Sequence, residues 1–206
     1  MEELAARRLA LAVIGHHSHT RGLQFGGQFR HFAEHGGALP AVIVANLPYN
    51  IATVLILKWL AHPGDFADIV VMVQKEVAQR LAAPPRGDAY GRLAVMTQWR
   101  AEVAMLFDLA PGAFTPPPKV TSTVVRITPR AAPSTPAEPK AMEAVVRAAF
   151  GQRRKMLRQA LKTLGTNTDV LIERAQVTPT ARGEELTVAQ FCALAREFQI
   201  LTGARF

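Results

Sequence analysis

The chain has 206 residues and a mass of 22.4 kDa, and 49% of it is hydrophobic against 19% charged, which excludes general disorder and is enough for a packed core. A formal charge of +8 and a pI near 10.4 point to a polyanionic partner such as nucleic acid. A mean hydropathy of only +0.10, with no uninterrupted apolar run of about eighteen residues, excludes a spanning helix, and the single Cys192 excludes a disulfide framework and a multi-cysteine zinc site.

Taken in chain order, the first stretch is unlike the rest. Met1-Glu2-Glu3 has no basic lead into an apolar core, so no signal peptide is expected, and a reducing cytoplasmic setting is the default. Residues 1–40 hold five of the six histidines and two Gly-Gly pairs, and no helical or strand period is sustained from Gly15 to Leu39. His16-His17-Ser18-His19 has no carboxylate or cysteine beside it, so no metal is expected there.

From Pro40 the pattern sharpens. Residues 41–45 are a continuous apolar run that predicts a strand buried on both faces. Pro48 stops it, and residues 51–61 read as a helix with Ile51, Leu55 and Trp59 on one side. Residues 68–73 predict a second buried strand, 74–82 an amphipathic segment, 90–98 a helix, and 101–109 and 122–127 two further strands around the Pro116-Pro117-Pro118 loop. Strand–helix alternation followed by late antiparallel strands predicts an α/β sheet. Three prolines in residues 131–140 predict a linker. Helices are expected at 141–150, 154–164, 168–175 and 187–198, with Gly165 as a stop and Thr187 as an N-cap.

Three groups of residues carry candidate chemistry. Asn46-Leu47-Pro48-Tyr49 follows directly on a predicted strand, where open α/β sheets bind ligands. The Asn46 amide oxygen and the Leu47 carbonyl can accept the hydrogens of an exocyclic amine and so aim its lone pair. Pro48 fixes φ, and Tyr49 can stack on an extruded base. The plainer reading is a strand–turn with an asparagine suited to it. Phe114 opens a stiff proline loop and could face Tyr49, a clamp worth about 1–3 kcal/mol per stacked base; taken alone, it reads equally as a core phenylalanine. Finally, residues 147–162 hold six bases (Arg147, Arg153, Arg154, Lys155, Arg158, Lys162) and no acid. On a continuous helix Arg154, Arg158 and Lys162 would share one face, suited to phosphates, with a solvated charged face as the alternative. Cys192 lies beside Phe191 and Leu194 and is expected in a core.

Together these motifs resemble the ribosomal RNA adenine dimethyltransferase family, from about Pro40 to Thr202. Asn46–Asn50 looks like its catalytic motif. Val73–Leu81 with Tyr90-Gly91-Arg92-Leu93 is similar to its central signature. Phe114 with Pro116–Ser122 resembles its base-binding loop, and Phe150–Leu157 resembles the start of the helical domain of its small-subunit members. The resemblance implies a Rossmann-like methyltransferase domain of α/β class, N-terminally incomplete, with a small all-α C-terminal domain. The implied domains are residues 41–130 (second half of the methyltransferase domain), a linker at 131–140 and an RNA-binding domain at 141–206, after an atypical segment at 1–40. It also implies S-adenosylmethionine as methyl donor, adenine N6 of small-subunit (16S) ribosomal RNA as acceptor and a cytoplasmic location, with no metal and no membrane. Asn46, Leu47, Pro48 and Tyr49 would be catalytic, Asn46 would also touch the cofactor, and Tyr49 and Phe114 would stack the base. Lys119, Arg147, Arg153, Arg154, Lys155, Arg158 and Lys162 would hold RNA. The family's Gly-rich cofactor loop has no counterpart in residues 1–40, where the acids are only Glu2, Glu3 and Glu34. Weak or absent cofactor binding by this chain is therefore expected, as is an exposed sheet edge. Two other functions are carried alongside: a catalytically inactive RNA-binding or ribosome-assembly protein, and a large-subunit methylase.

Overall fold

The computed structural model describes residues 40–203. The expectations for residues 1–39 (the atypical segment, its histidines and its lack of a cofactor loop) lie outside the described residues. The described chain divides into two compact units. One comprises residues up to Gln79 plus Arg100–Ala131, and the other Arg80–Trp99 plus the chain from Ala132.

The first unit is built on a sheet of β1 (Ala41–Asn46), β2 (Phe66–Gln74), β3 (Ala101–Leu109) and β4 (Ser122–Pro129), in the order β1-β2-β4-β3. β1 and β2 run parallel, and β4 is antiparallel to both β2 and β3. Helix α1 (Ala52–Trp59) makes the crossover from β1 to β2 that a parallel pair requires. Its Ala52, Leu55, Ile56 and Trp59 are buried, and Trp59 lies 6.4 Å from the Phe66 ring.

The strands alternate. Ile43, Ala45, Ile69, Val71, Val73, Val125 and Ile127 point to the buried face. The neighbouring positions are more open: Val44 is 38% exposed. Asp68 takes two bonds from Arg126, at 2.9 and 2.8 Å, and one from Thr128 at 2.7 Å. The expectation that β1 is buried on both faces is thus corrected. An unbroken apolar run predicts two-sided burial only where something covers both faces. At β3 the ladder slips between Met105 and Phe107, leaving Met105, Leu106 and Phe107 at 40–56% exposure on an edge strand.

The second unit holds α3 (Arg92–Arg100, up to Trp99), α4 (Pro139–Gly151), α5 (Leu157–Ala160), α6 (Thr168–Arg174) and α7 (Val188–Thr202). Helix α2 (Lys75–Ala82) spans the point of division between the units. The caps explain the bounds. The Glu138 carboxylate accepts the Ala141 N–H at 2.7 Å ahead of Pro139, and Thr187 and Gln190 form a capping box. Gly165 takes the left-handed conformation (φ +70°) that ends a 3-10 turn at Leu161–Leu164.

The core of this unit joins Tyr90, Val95 and Trp99 to Met142, Val145, Leu157, Leu171, Phe191 and Cys192. Tyr90 donates its hydroxyl to the Leu186 carbonyl at 2.9 Å, and Trp99 its indole N–H to that of Thr135 at 2.8 Å. Burial pushes the Cys192 thiol up to about 11 and raises the Tyr90 phenol further.

Two expectations change here. The sequence places 80–99 in the sheet domain. Its largest apolar side chains pack instead into the helical core, because the hydrophobic face of α3 meets α-helical rather than sheet residues. The predicted helix at 154–164 is also not continuous. α4 ends at Gly151, and Gln152 leaves helical geometry (φ −127°, ψ 61°). Met156 is extended and bridges to Arg182, and the Leu157 N–H donates to the Ala181 carbonyl at 2.8 Å. Those strand-like contacts outcompete helical bonds. Arg154 therefore stands in a turn, off any helical face shared with Arg158 and Lys162.

Candidate active site and nucleic-acid surface

The site in the sheet unit begins at the carboxyl end of β1. Asn46 pairs in register with Met72 of β2 and is exposed at the strand end. The Leu47 N–H donates to the Met72 carbonyl at 3.2 Å, which pins the turn to β2, and the Leu47 side chain is buried. The Pro48 carbonyl accepts the N–H groups of Ile51 and Ala52, both at 3.1 Å, and so starts α1. Among the described residues no backbone bond ends on the Leu47 carbonyl, leaving it free to accept from a ligand.

Tyr49 projects from this turn, 38% exposed as a residue, while its hydroxyl lies 3.0 Å from Ser122 Oγ. Ser122 is fully buried at the first position of β4, so the ring is tethered at its tip and open on its side. Phe114 follows the 3-10 turn Pro111–Ala113 and is half-buried; the Thr115–Pro116 bond beyond it is cis. The two constellations meet. Asn46, Leu47, Pro48, Tyr49, Asn50, Met72 and Phe114 line one cavity of about 750 Å³, with Thr115 and the three following prolines. That is ample for a purine and part of a second ligand.

Among the described residues the lining carries no charged side chain. Nearby in the unit, the Lys75 ammonium (2.6 Å) and the Thr123 hydroxyl (2.7 Å) hold the Asp108 carboxyl below the usual carboxylate range. The described lining residues are of the kind that orient and stack a ligand.

The helical unit carries the charge. Arg154, Lys155, Arg158 and Lys162 are exposed, and no ion pair reaches them among the described residues. Arg147 lies 4.0 Å from Glu143, whose carboxylate already binds Arg92 at 2.9 Å.

The family model described as Ribosomal RNA adenine dimethylase matches residues 34–200. The chain belongs to the ribosomal RNA adenine dimethylase family. It is 58% identical over 166 residues to "Ribosomal RNA small subunit methyltransferase A" of Paramagnetospirillum magneticum, covering 81% of this chain and 59% of that protein. It is 56% identical to the protein of the same name from Rhodospirillum rubrum, covering 78% and 55%. The chain thus spans little more than half the length of these relatives. Among solved structures, a dimethyladenosine transferase from Plasmodium falciparum superposes with a TM-score of 0.65 at 24% identity, covering 78% of this chain and 67% of that one. The 23S rRNA methyltransferase ErmE gives 0.56 at 20%, covering 84% and 77%. Both show the Rossmann-like methyltransferase fold.

Within this family member the sequence-predicted residues fare unevenly. Asn46, Leu47, Pro48, Tyr49 and Phe114 come together. Lys119 is exposed just before β4. Arg153 departs from expectation. Its Nε donates to Glu184 at 3.1 Å, and one Nη donates to the carbonyls of Asp88 (2.8 Å) and Tyr90 (3.2 Å). Arg153 thus staples the helical unit internally, with Nε and one Nη engaged by a carboxylate and two carbonyls. Ser122 closes the motif that opens with Phe114 but has no role assigned from sequence, and Met72 lies outside every motif. Met72 follows only from the β1–β2 register. Ser122 had a signal, a small hydroxyl opening a buried strand.

Proposed function

We propose that this chain supplies the base-binding and RNA-binding parts of an S-adenosylmethionine-dependent methyltransferase that dimethylates adenine N6 in small-subunit ribosomal RNA, in the cytoplasm. The observation that carries this reading is the convergence of Asn46, Leu47, Tyr49 and Phe114 on one cavity whose described lining is uncharged. The names of the relatives, small-subunit methyltransferases, support the RNA class.

The geometry suits an amine acceptor. Tyr49 and Phe114 offer their faces to an extruded adenine, and the Ser122 bond limits rotation of the Tyr49 ring. The Asn46 amide oxygen and Leu47 carbonyl accept the two N6 hydrogens, which holds the nitrogen lone pair outward and stabilises positive charge growing on it. Prolines along the lining exclude competing N–H donors.

When bound, the cofactor supplies an already activated methyl group. Asn46 and Asn50 are the polar side chains the cavity offers it, apart from Tyr49 and Thr115. The described lining has no carboxylate to pair with ribose hydroxyls or an ammonium group, so these residues alone fit the acceptor base better than the whole cofactor. The sequence expectation of weak cofactor binding follows the same line. Calorimetric titration with S-adenosylmethionine tests it, and a micromolar dissociation constant would overturn it.

The function itself is tested with unmethylated small ribosomal subunits and label transfer from the cofactor. In a full-length family member with a complete cofactor site, the substitution corresponding to Asn46→Ala should lower transfer by about 100-fold or more while leaving RNA affinity within about twofold. Unchanged transfer would remove Asn46 from its role. Transfer to the large subunit instead would redirect the substrate.

A further inference from the structure

Beside the cationic turn, the helical unit has a second recess of about 450 Å³, lined from α4 and the 3-10 turn at Leu161–Leu164. We propose that this groove seats the ribose–phosphate strand of duplex RNA and recognises its 2′-hydroxyls. This rests on the reading of the surrounding cations as an RNA surface and deepens it by naming what the surface distinguishes.

Shape comes first. Ala144, Ala148 and Gly151 form one wall. A Cβ built on Gly151 would meet nothing within 4 Å, so a backbone can approach closely there. Leu164 adds an apolar patch suited to the face of a sugar.

The polar atoms come next. The Thr163 hydroxyl donates its hydrogen to the Ala160 carbonyl at 3.1 Å, which leaves its oxygen able only to accept. A 2′-hydroxyl is a donor that such an oxygen can take, and deoxyribose has none. The exposed Gln152 side chain, at the end of α4, makes no hydrogen bond to another described residue and offers both a donor and an acceptor to the same hydroxyl or its neighbour.

Charge completes the argument. Arg147 lines the groove, and its weak partner Glu143 is held by Arg92. Lys162 directly precedes Thr163, and Arg158 stands on the short helix before it; neither has an ion pair among the described residues. Phosphates flanking a seated ribose would meet these cations. An A-form duplex displays its 2′-hydroxyls along a wide, shallow minor groove, and proteins recognise it there by shape rather than by base sequence. Two hydrogen-bonding groups in an open, charged groove match that task.

The experiment measures fluorescence anisotropy of the full chain with a labelled RNA stem-loop and a DNA stem-loop of identical sequence. The wild-type protein should prefer RNA by about tenfold, the size of one or two hydrogen bonds. Gly151→Leu fills the groove without changing charge. It should weaken RNA binding about tenfold, leave DNA binding within about twofold, and leave the thermal melt unchanged. Gln152→Ala, which lies outside any core, should cut the RNA preference about threefold and decides the matter if Gly151→Leu disturbs the fold. A folded Gly151→Leu protein that binds RNA like wild type would overturn the proposal. So would equal losses on RNA and DNA, or competition by an acidic peptide but not by duplex RNA. Replacing Arg154 and Lys155 with glutamine separates the two levels. If that lowers the salt slope while both groove variants are silent, only the groove fails. If the slope does not move, the cationic-surface reading fails with it.

Discussion

The two units divide the physical work. The sheet unit places a cavity with an uncharged described lining at its strand ends and pairs three of its cations: Lys75 on Asp108, Arg126 on Asp68 and Arg130 on Glu102. The helical unit leaves Arg154, Lys155, Arg158 and Lys162 facing solvent with no ion pair among the described residues. A base is selected by stacking and directed hydrogen bonds, which water and stray charge would weaken. A polyanion is captured by unpaired cations, which gain by staying hydrated and mobile until phosphate arrives. One surface cannot serve both ends well, and here each has its own core and its own electrostatics.

The sharpest way to break this division is through stability. Phe191 is fully buried and stacks 5.7 Å from Phe150. Phe191→Ala should cost about 3–5 kcal/mol in urea unfolding, with hydrogen exchange rising in α7 well before β2 and β4. Simultaneous loss of protection in both would make the units one cooperative body.

The next test exchanges a staple for a surface charge. Arg153→Met should cost about 1.5 kcal/mol of stability and leave the salt slope of RNA binding unchanged, whereas Arg158→Gln should lower that slope and leave the melt alone. The reverse pattern would restore Arg153 to the RNA surface. Smaller still is the tether at the base cavity. Ser122→Ala and Tyr49→Phe should each weaken binding of an adenine-containing RNA by about 1 kcal/mol, and the double variant should lose no more than one of them.

The smallest effect is a pH dependence of the sheet unit. Because Lys75 and Thr123 lower the folded-state pKa of Asp108, its contribution is complete above the ordinary carboxylate range and is lost as pH falls through the depressed value. Asp108→Asn should lower the melting temperature slightly at neutral pH, leave it unchanged below the depressed value, and so flatten the acid limb of the profile. An unchanged acid limb would show the pair to be screened out.

Much of the sheet was legible because its cues are local. Pro48 ends β1, and alternation marks β3. The motif residues Asn46, Tyr49 and Phe114 come together because strand ends gather loops. What stayed hidden depends on partners distant in sequence. Arg153 looks like any cation in a basic run until Asp88, Tyr90 and Glu184 are brought to it. The break at Gln152–Met156 is invisible to helical periodicity, because the bridge to Arg182 that opposes the helix lies 26 residues away. Tyr90 and Trp99 sit among sheet elements in the sequence, and only packing assigns them to the helices.

The aromatic residues of the two cores have a practical consequence. The chain has two tryptophans and two tyrosines. Trp59 and Tyr49 fall in the sheet unit, Trp99 and Tyr90 in the helical one. Each unit therefore carries its own intrinsic fluorophore. Trp99→Phe leaves Trp59, 2% exposed beneath the sheet, as the sole indole signal of that core. Trp59→Phe leaves Trp99 to report on the helices. Red shifts followed separately in the two proteins would show, without any label, which half of the molecule lets go first when it is heated or when RNA is withdrawn.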